Sequence, residues 1–236
     1  CSRPHLKLCF YGHDLHFDRM RREARLKEDR TLYRQSDEME QLERRMWRIF
    51  DRSLYLSTTE RDHALSLEPN ADIRTVVPYF YRYSHRREKT SESLTILFVA
   101  GFAHPPNEDA ARFLVEDILP LVQHQYPDAR VLLVGSHPTA AVKALAGPSV
   151  EVTGWVSDNH LQDYYETSRV AVVPLRFGAG VKGKVVEALH YGLPLVTTSI
   201  GVEGIEELET IICVSDSAQD IANDIMKLFS DGERWL

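Results

Sequence analysis

No stretch of this 236-residue chain approaches the roughly 18 consecutive apolar residues that a membrane-spanning helix needs. No secretory leader is visible at its start. The chain opens on Cys1 rather than methionine, as expected of a fragment or a processed product. Cysteine is scarce: Cys1, Cys9 and Cys213 make neither an even disulfide framework nor a metal-ligand spacing. That fits a reducing, cytoplasmic setting in which the thiols are small hydrophobes. Excess positive charge is missing too. A net charge of -7 speaks against nucleic acid as the main partner.

The distribution of that charge is more telling than its sum. Residues 1–90 carry 19 Lys and Arg against 15 Asp and Glu, whereas residues 91–236 carry 9 against 20. Within the acidic half no carboxylate falls between Glu166 and Glu187, yet Arg176, Lys182 and Lys184 lie in that interval. A local positive pocket in a negative domain points to a bound anion. The segment itself, Pro174 to Leu189, joins the apolar run Val170–Val173 to a helical pattern through Gly178, Gly180 and Gly183. A glycine-rich strand-to-helix turn lets backbone N–H groups approach a phosphate, and the helix N-terminus adds a favourable dipole. Two lysines at a helix start oppose that dipole, and an anion between them resolves the conflict. The loop therefore reads as a diphosphate cradle, against the plainer alternative of an ordinary flexible turn.

Short β-branched runs alternate with helical patterns through the second half, the signature of an α/β domain with a parallel, doubly wound sheet. Strands are expected at Leu94–Ala100, Arg130–Val134, Ser149–Thr153, Val170–Pro174, Pro194–Thr198 and Thr210–Val214. Helices are expected near 107–124, 138–146, 158–168, 182–191 and 217–230, with Asn107, Ser157 and Ser217 as N-caps and Gly192 just past a helix end. The first half offers three strands, Leu6–Tyr11, Leu54–Ser57 and Ile73–Val77, and helices near 37–51 and 59–67. This gives a partial N-terminal α/β domain over 1–80, a linker over 81–92 and a complete domain over 93–236. The basic stretch Arg19–Lys27 suits either a peripheral contact with an anionic membrane or a solvated helix. Its interleaved acids favour the second.

With Gly101–Asn107, Val134-Gly135, Val152–Val156, the loop 174–189 and Gly192–Thr198 in this order and spacing, the chain resembles GT-B glycosyltransferases of the family 4 type. Those are retaining enzymes with nucleotide-sugar donors and two Rossmann-like domains. The resemblance covers nearly the whole chain. It implies that residues 93–236 form the donor domain and residues 1–80 the later part of an incomplete acceptor-side domain. It also implies that the Gly178–Val181 backbone, with Gly178, Gly180 and Val181, and Lys182 or Lys184 hold the donor diphosphate, helped by Arg176. Glu187 matches the glutamate that bonds the ribose hydroxyls. Trp155 and Val156 would meet the base, Gly101 and Phe102 the phosphates. His13, in the turn Gly12–His16, matches a histidine aimed at the donor sugar and is the expected catalytic residue.

Two departures stand out. Eight residues before Glu187 lies Ala179, where the family places a ring-binding glutamate. Phe102 and Pro106 occupy regions where Arg and Lys are frequent in the family. No Asp-x-Asp pair lies near the loop, so no metal and no cofactor is expected. The expected activity is sugar transfer from a nucleoside diphosphate to a hydroxyl of a glycan or lipid-linked acceptor, in cell-surface polysaccharide synthesis. The setting implied is the cytoplasm, at the inner face of the membrane. The alternative is a non-catalytic nucleotide-sugar binding module or a partner subunit of a transferase.

Overall fold

The computed structural model describes residues 6–77, 81, 92–205 and 207–230. They divide into two compact units. The first comprises 6–77 together with the loop segments 177–181 and 203–205; the second comprises 81–176, 182–202 and 207–230.

The first unit runs β1 (Cys9–Tyr11), α1 (His16–Lys27), α2 (Arg30–Ile49), β2 (Arg52–Tyr55), α3 (Thr58–Leu67) and β3 (Ile73–Thr75). The three strands pair in parallel in the order β1-β2-β3. Its core gathers Leu15, Phe17, Trp47, Tyr55, Ala64 and Ile73. The buried indole of Trp47 donates to the Tyr55 hydroxyl at 2.8 Å, so the two polar tips satisfy each other inside the apolar core. Helix α1 is capped from a distance: the buried Glu43 carboxylate accepts from the His16 and Phe17 amides at 3.2 and 3.1 Å. The cations of Arg19–Lys27 are largely paired, Arg19 with Asp14, Arg21 with Asp37 and Glu40, Arg22 with Asp18 and Lys27 with Glu23. These pairs describe the salt-bridged helix that the interleaved acids imply.

The second unit begins with β4 (Thr95–Val99), α4 (Pro105–Arg112), a π-helical turn (Phe113–Ile118), α5 (Leu119–Gln125), β5 (Arg130–Val134), α6 (Ala140–Ala144) and β6 (Val150–Gly154). It continues with α7 (Asp158–Thr167), β7 (Val170–Val173), α8 (Gly183–His190), β8 (Leu195–Thr197), α9 (Ser199–Val202), β9 (Cys213–Val214) and α10 (Ala218–Ser230). Six parallel strands lie in the order β6-β5-β4-β7-β8-β9. All four residues of β7 are buried, as a central strand covered on both faces requires. The chain order reverses between β4 and β7, and in such sheets ligands settle outside the carboxyl ends of the strands at that reversal.

Two expectations need correction. Asn107 is not an N-cap: α4 starts at Pro105 with His104 as its cap, which leaves Asn107 in the first turn and buried. Proline at the first helical position loses no hydrogen bond, so Pro105-Pro106 sets the true start. The last strand is only Cys213–Val214, because Leu208–Thr210 form a 3-10 turn. Ser157 and Ser217 do cap, accepting from the His160 and Asp220 amides at 3.4 and 3.1 Å. Of the expected linker, residues 82–91 lie outside the described residues, as does Cys1. Among the described residues no helix is long and apolar enough to cross a membrane.

Candidate functional site

A cavity of about 340 Å³ opens at the strand-order reversal of the second unit. Its floor is built by three strand ends: Val99–Gly101 after β4, Val134–Ser136 after β5, and Trp155 and Val156 after β6. Asp158 and Leu161 of α7 form one wall, and Lys184 and Glu187 of α8 form the other. The strand ends approach closely because Gly135 lacks a side chain. Its φ is +144°, and a Cβ there would lie 1.9 Å from the Ala100 carbonyl oxygen. The loops are tied across the sheet by the Phe102 amide donating to the Ser136 carbonyl at 2.9 Å and the Gly135 amide to the Gly154 carbonyl at 3.0 Å.

Lys184 is the cation of this cavity. Its ammonium donates to Asn107 Oδ1 at 2.7 Å, while Asn107 Nδ2 donates to the Gly101 carbonyl at 2.8 Å. A neutral amide thus connects the lysine to the loop after β4. Burial, and to a lesser degree the neighbouring Lys182 charge, pushes the Lys184 amine down to about 7. A cation in this state gains from any anion that enters. Glu187 lies one turn further along α8, and its Oε2 accepts from the Tyr165 hydroxyl at 2.9 Å. The arrangement offers an ammonium and a carboxylate on one helix wall, with open strand ends below and an exposed indole, Trp155, at the side.

The other expected residues fall in several places. Gly101, Trp155, Val156, Lys184 and Glu187 line the cavity. Phe102 is fully buried and packs edge-on against Phe98, so only its backbone reaches the loop. Lys182 caps α8 and is buried. Arg176 is engaged elsewhere: its guanidinium forms two bonds to Asp109 at 2.6 and 2.9 Å and lies 4.8 Å from the Phe113 ring centre. Gly178, Gly180 and Val181 group with the first unit. There the Gly178 carbonyl accepts from Arg22 at 2.9 Å. Gly180, at φ +72°, leaves 2.9 Å between the site of a Cβ and the His13 carbonyl oxygen. His13 itself follows β1, its ring meeting Tyr11 edge-on at 5.0 Å. Sequence reasoning missed the Asn107 bridge and the Tyr165–Glu187 bond. The first joins residues 77 positions apart and the second residues 22 apart, so neither has a local signal.

A parallel six-stranded sheet with its cavity at the reversal and a further parallel α/β unit in the same chain define a GT-B type fold with Rossmann-like domains. The chain belongs to the glycosyl transferases group 1 family, whose model matches residues 93–231. A curated relative from Klebsiella pneumoniae, described as an uncharacterized 44.6 kDa protein in the cps region, is 24% identical over 162 residues. That match spans 66% of this chain but only 41% of the relative, about two fifths of its length. Sucrose-phosphate synthase from Thermosynechococcus elongatus superposes with a TM-score of 0.69 at 16% identity, covering 94% of this chain and 58% of that one. TarM of S. aureus, in a complex that contains UDP, gives 0.70 at 14% identity, covering 84% and 41%. HepE of Anabaena, with UDP and glucose, gives 0.61 at 14%, covering 95% and 62%. At these identities the solved structures speak for the fold.

Proposed function

We propose that the chain carries a sugar-transfer activity that takes a glycosyl group from a nucleoside diphosphate to an acceptor hydroxyl, with retention at the anomeric carbon. The observation that carries this reading is the cavity at the strand ends, where Lys184 and Glu187 stand one turn apart on α8. Lys184 would meet the diphosphate and Glu187 the ribose, with Trp155 and Val156 beside the base. The difficult event is loss of the diphosphate as positive charge grows at the sugar carbon. Fixed donors and the N-terminal end of α8 would stabilise the departing negative charge without a divalent cation. The bond from the anomeric carbon to the β-phosphate oxygen breaks. The acceptor oxygen bonds to the same face, and its proton passes to the leaving phosphate. His13 is the proposed group acting at the donor sugar, on the resemblance set out above.

The relative from a cps region favours a role in cell-surface polysaccharide synthesis, with a glycan or lipid-linked acceptor. Work of this kind belongs in the cytoplasm, where nucleotide sugars are made, at the inner face of the membrane. One observation favours a second reading. Ala179 stands where a ring-binding glutamate belongs, which suits a module that binds a nucleotide sugar without turning it over. Release of UDP or GDP from the matching nucleotide sugars, with and without a membrane glycan extract, separates the two. Turnover that Lys184→Ala abolishes supports the enzyme. Binding without any turnover by the full-length protein supports the module.

A further inference from the structure

We infer that Tyr165 is a positioning residue that makes the cavity selective for ribose over 2′-deoxyribose by holding the Glu187 carboxylate in one orientation. The inference rests on the donor-site reading above and extends it to a residue outside the cavity lining. Tyr165, on α7, is 1% exposed, and its ring stacks on Tyr191 with centres 4.4 Å apart and planes 12° from parallel. Tyr191 closes the C-terminal end of α8, so the stack joins α7 to the helix that carries Glu187. With the ring fixed on its face, the hydroxyl oxygen is held beside Glu187, whose Oε2 accepts its proton at 2.9 Å.

A buried phenol must satisfy its hydroxyl, and a carboxylate is a strong acceptor. Burial, and next the Glu187 charge, raises the Tyr165 hydroxyl far above its ordinary range, so it stays a donor at every working pH. The terminal torsion of a glutamate is broad and roughly two-fold when nothing holds it. The Tyr165 bond to Oε2 removes that freedom in a carboxylate that lines the cavity. A vicinal diol fits such a preset group, because each hydroxyl can donate to the carboxylate. A 2′-deoxyribose loses one of the two bonds.

The test titrates UDP, GDP, their 2′-deoxy counterparts and pyrophosphate into the wild-type chain, Tyr165→Phe and Glu187→Gln. Phenylalanine keeps the stack on Tyr191, and thermal melting confirms an intact fold. The wild type is expected to prefer the ribose form by about tenfold or more, as for one charge-assisted hydrogen bond. In Tyr165→Phe that preference is expected to fall to about threefold or less, with pyrophosphate affinity unchanged. A wild type that binds neither nucleotide overturns the donor-site reading and this inference with it. A wild type that binds nucleotides but ignores the 2′-hydroxyl overturns the inference alone, as does a preference retained in Tyr165→Phe. Equal loss of pyrophosphate and nucleotide in Tyr165→Phe shows a packing role and overturns it as well.

Discussion

The Lys184 ammonium donates to Asn107 Oδ1 at 2.7 Å, a charged donor matched with a neutral acceptor at the edge of the cavity. A lysine built for structural stability alone would pair with a carboxylate. Here the amide holds the ammonium in place and leaves its charge uncompensated.

That pairing predicts how nucleotide affinity varies with pH. The Lys184 amine sits near 7 in the free protein, and a bound diphosphate favours its protonated form. Affinity for UDP should therefore weaken as pH rises above about 7, and Lys184→Met should remove that limb. Calorimetry at several pH values checks it. A wild-type affinity that is flat between pH 6 and 9 contradicts the assignment.

The same lowered amine predicts a stability trend without ligand. The unfolded chain holds its lysine proton up to the ordinary value of 10.5, while the folded chain releases it near 7. Between these values the unfolded state binds more protons, so this lysine's contribution makes the folded state more stable as pH rises. Denaturant midpoints for wild type and Lys184→Met should converge from pH 7 toward pH 10. Midpoints that keep a constant gap argue against a desolvated lysine.

Asn107→Asp places a carboxylate beside the Lys184 ammonium. It should return the amine toward its ordinary range, weaken UDP binding by supplying the missing charge, and move the alkaline limb upward by a pH unit or more (about 1.4 kcal/mol per unit). Asn107→Leu instead leaves the Gly101 carbonyl and the ammonium without their partner, at a cost of about 1–3 kcal/mol in chemical denaturation. An Asn107→Asp protein that matches wild type in both respects removes Asn107 from the site.

Arg176 supplies the contrasting case. Its two bonds go to Asp109, in a partly exposed ion pair. Arg176→Ala should leave UDP affinity within about twofold and cost about 1 kcal/mol or less of stability. A large loss of nucleotide affinity would restore it to the donor site.

Gly135→Ala tests the floor of the cavity. The added carbon meets the Ala100 carbonyl oxygen at 1.9 Å from a backbone with φ +144°, and relief requires the ends of β4 and β5 to part. The expected cost is at least about 2 kcal/mol, with loss of UDP binding. A Gly135→Ala protein of unchanged melting temperature and affinity would contradict the described loop geometry.

Much of this architecture is legible without coordinates. The alternation of β-branched runs and helical periods marks every strand of the second sheet, because a strand covered on both faces shows it in its composition. Glu187 and Lys184 are legible as a pair because three residues apart on a helix puts them on one wall. What stays hidden are partners chosen by tertiary folding. Asp109 lies 67 residues from Arg176 and Asn107 lies 77 from Lys184, so no local pattern reports either bond. Asn107 also imitates a cap, since an asparagine ahead of an apolar run satisfies that rule just as well. The glycines 178 and 180 carry a phosphate signature, yet both are buried and one has its carbonyl occupied by Arg22.

Whether one ammonium recognises the charge of a nucleoside diphosphate is the central question, and a single comparison tests it most directly. UDP and GDP are titrated calorimetrically at pH 6.5 into wild type and Lys184→Ala of matched thermal stability. At least one nucleotide should bind the wild type, and the substitution should weaken it by about tenfold or more. Equal affinities in the two proteins would show that the anion, if it binds at all, is held somewhere other than this helix wall.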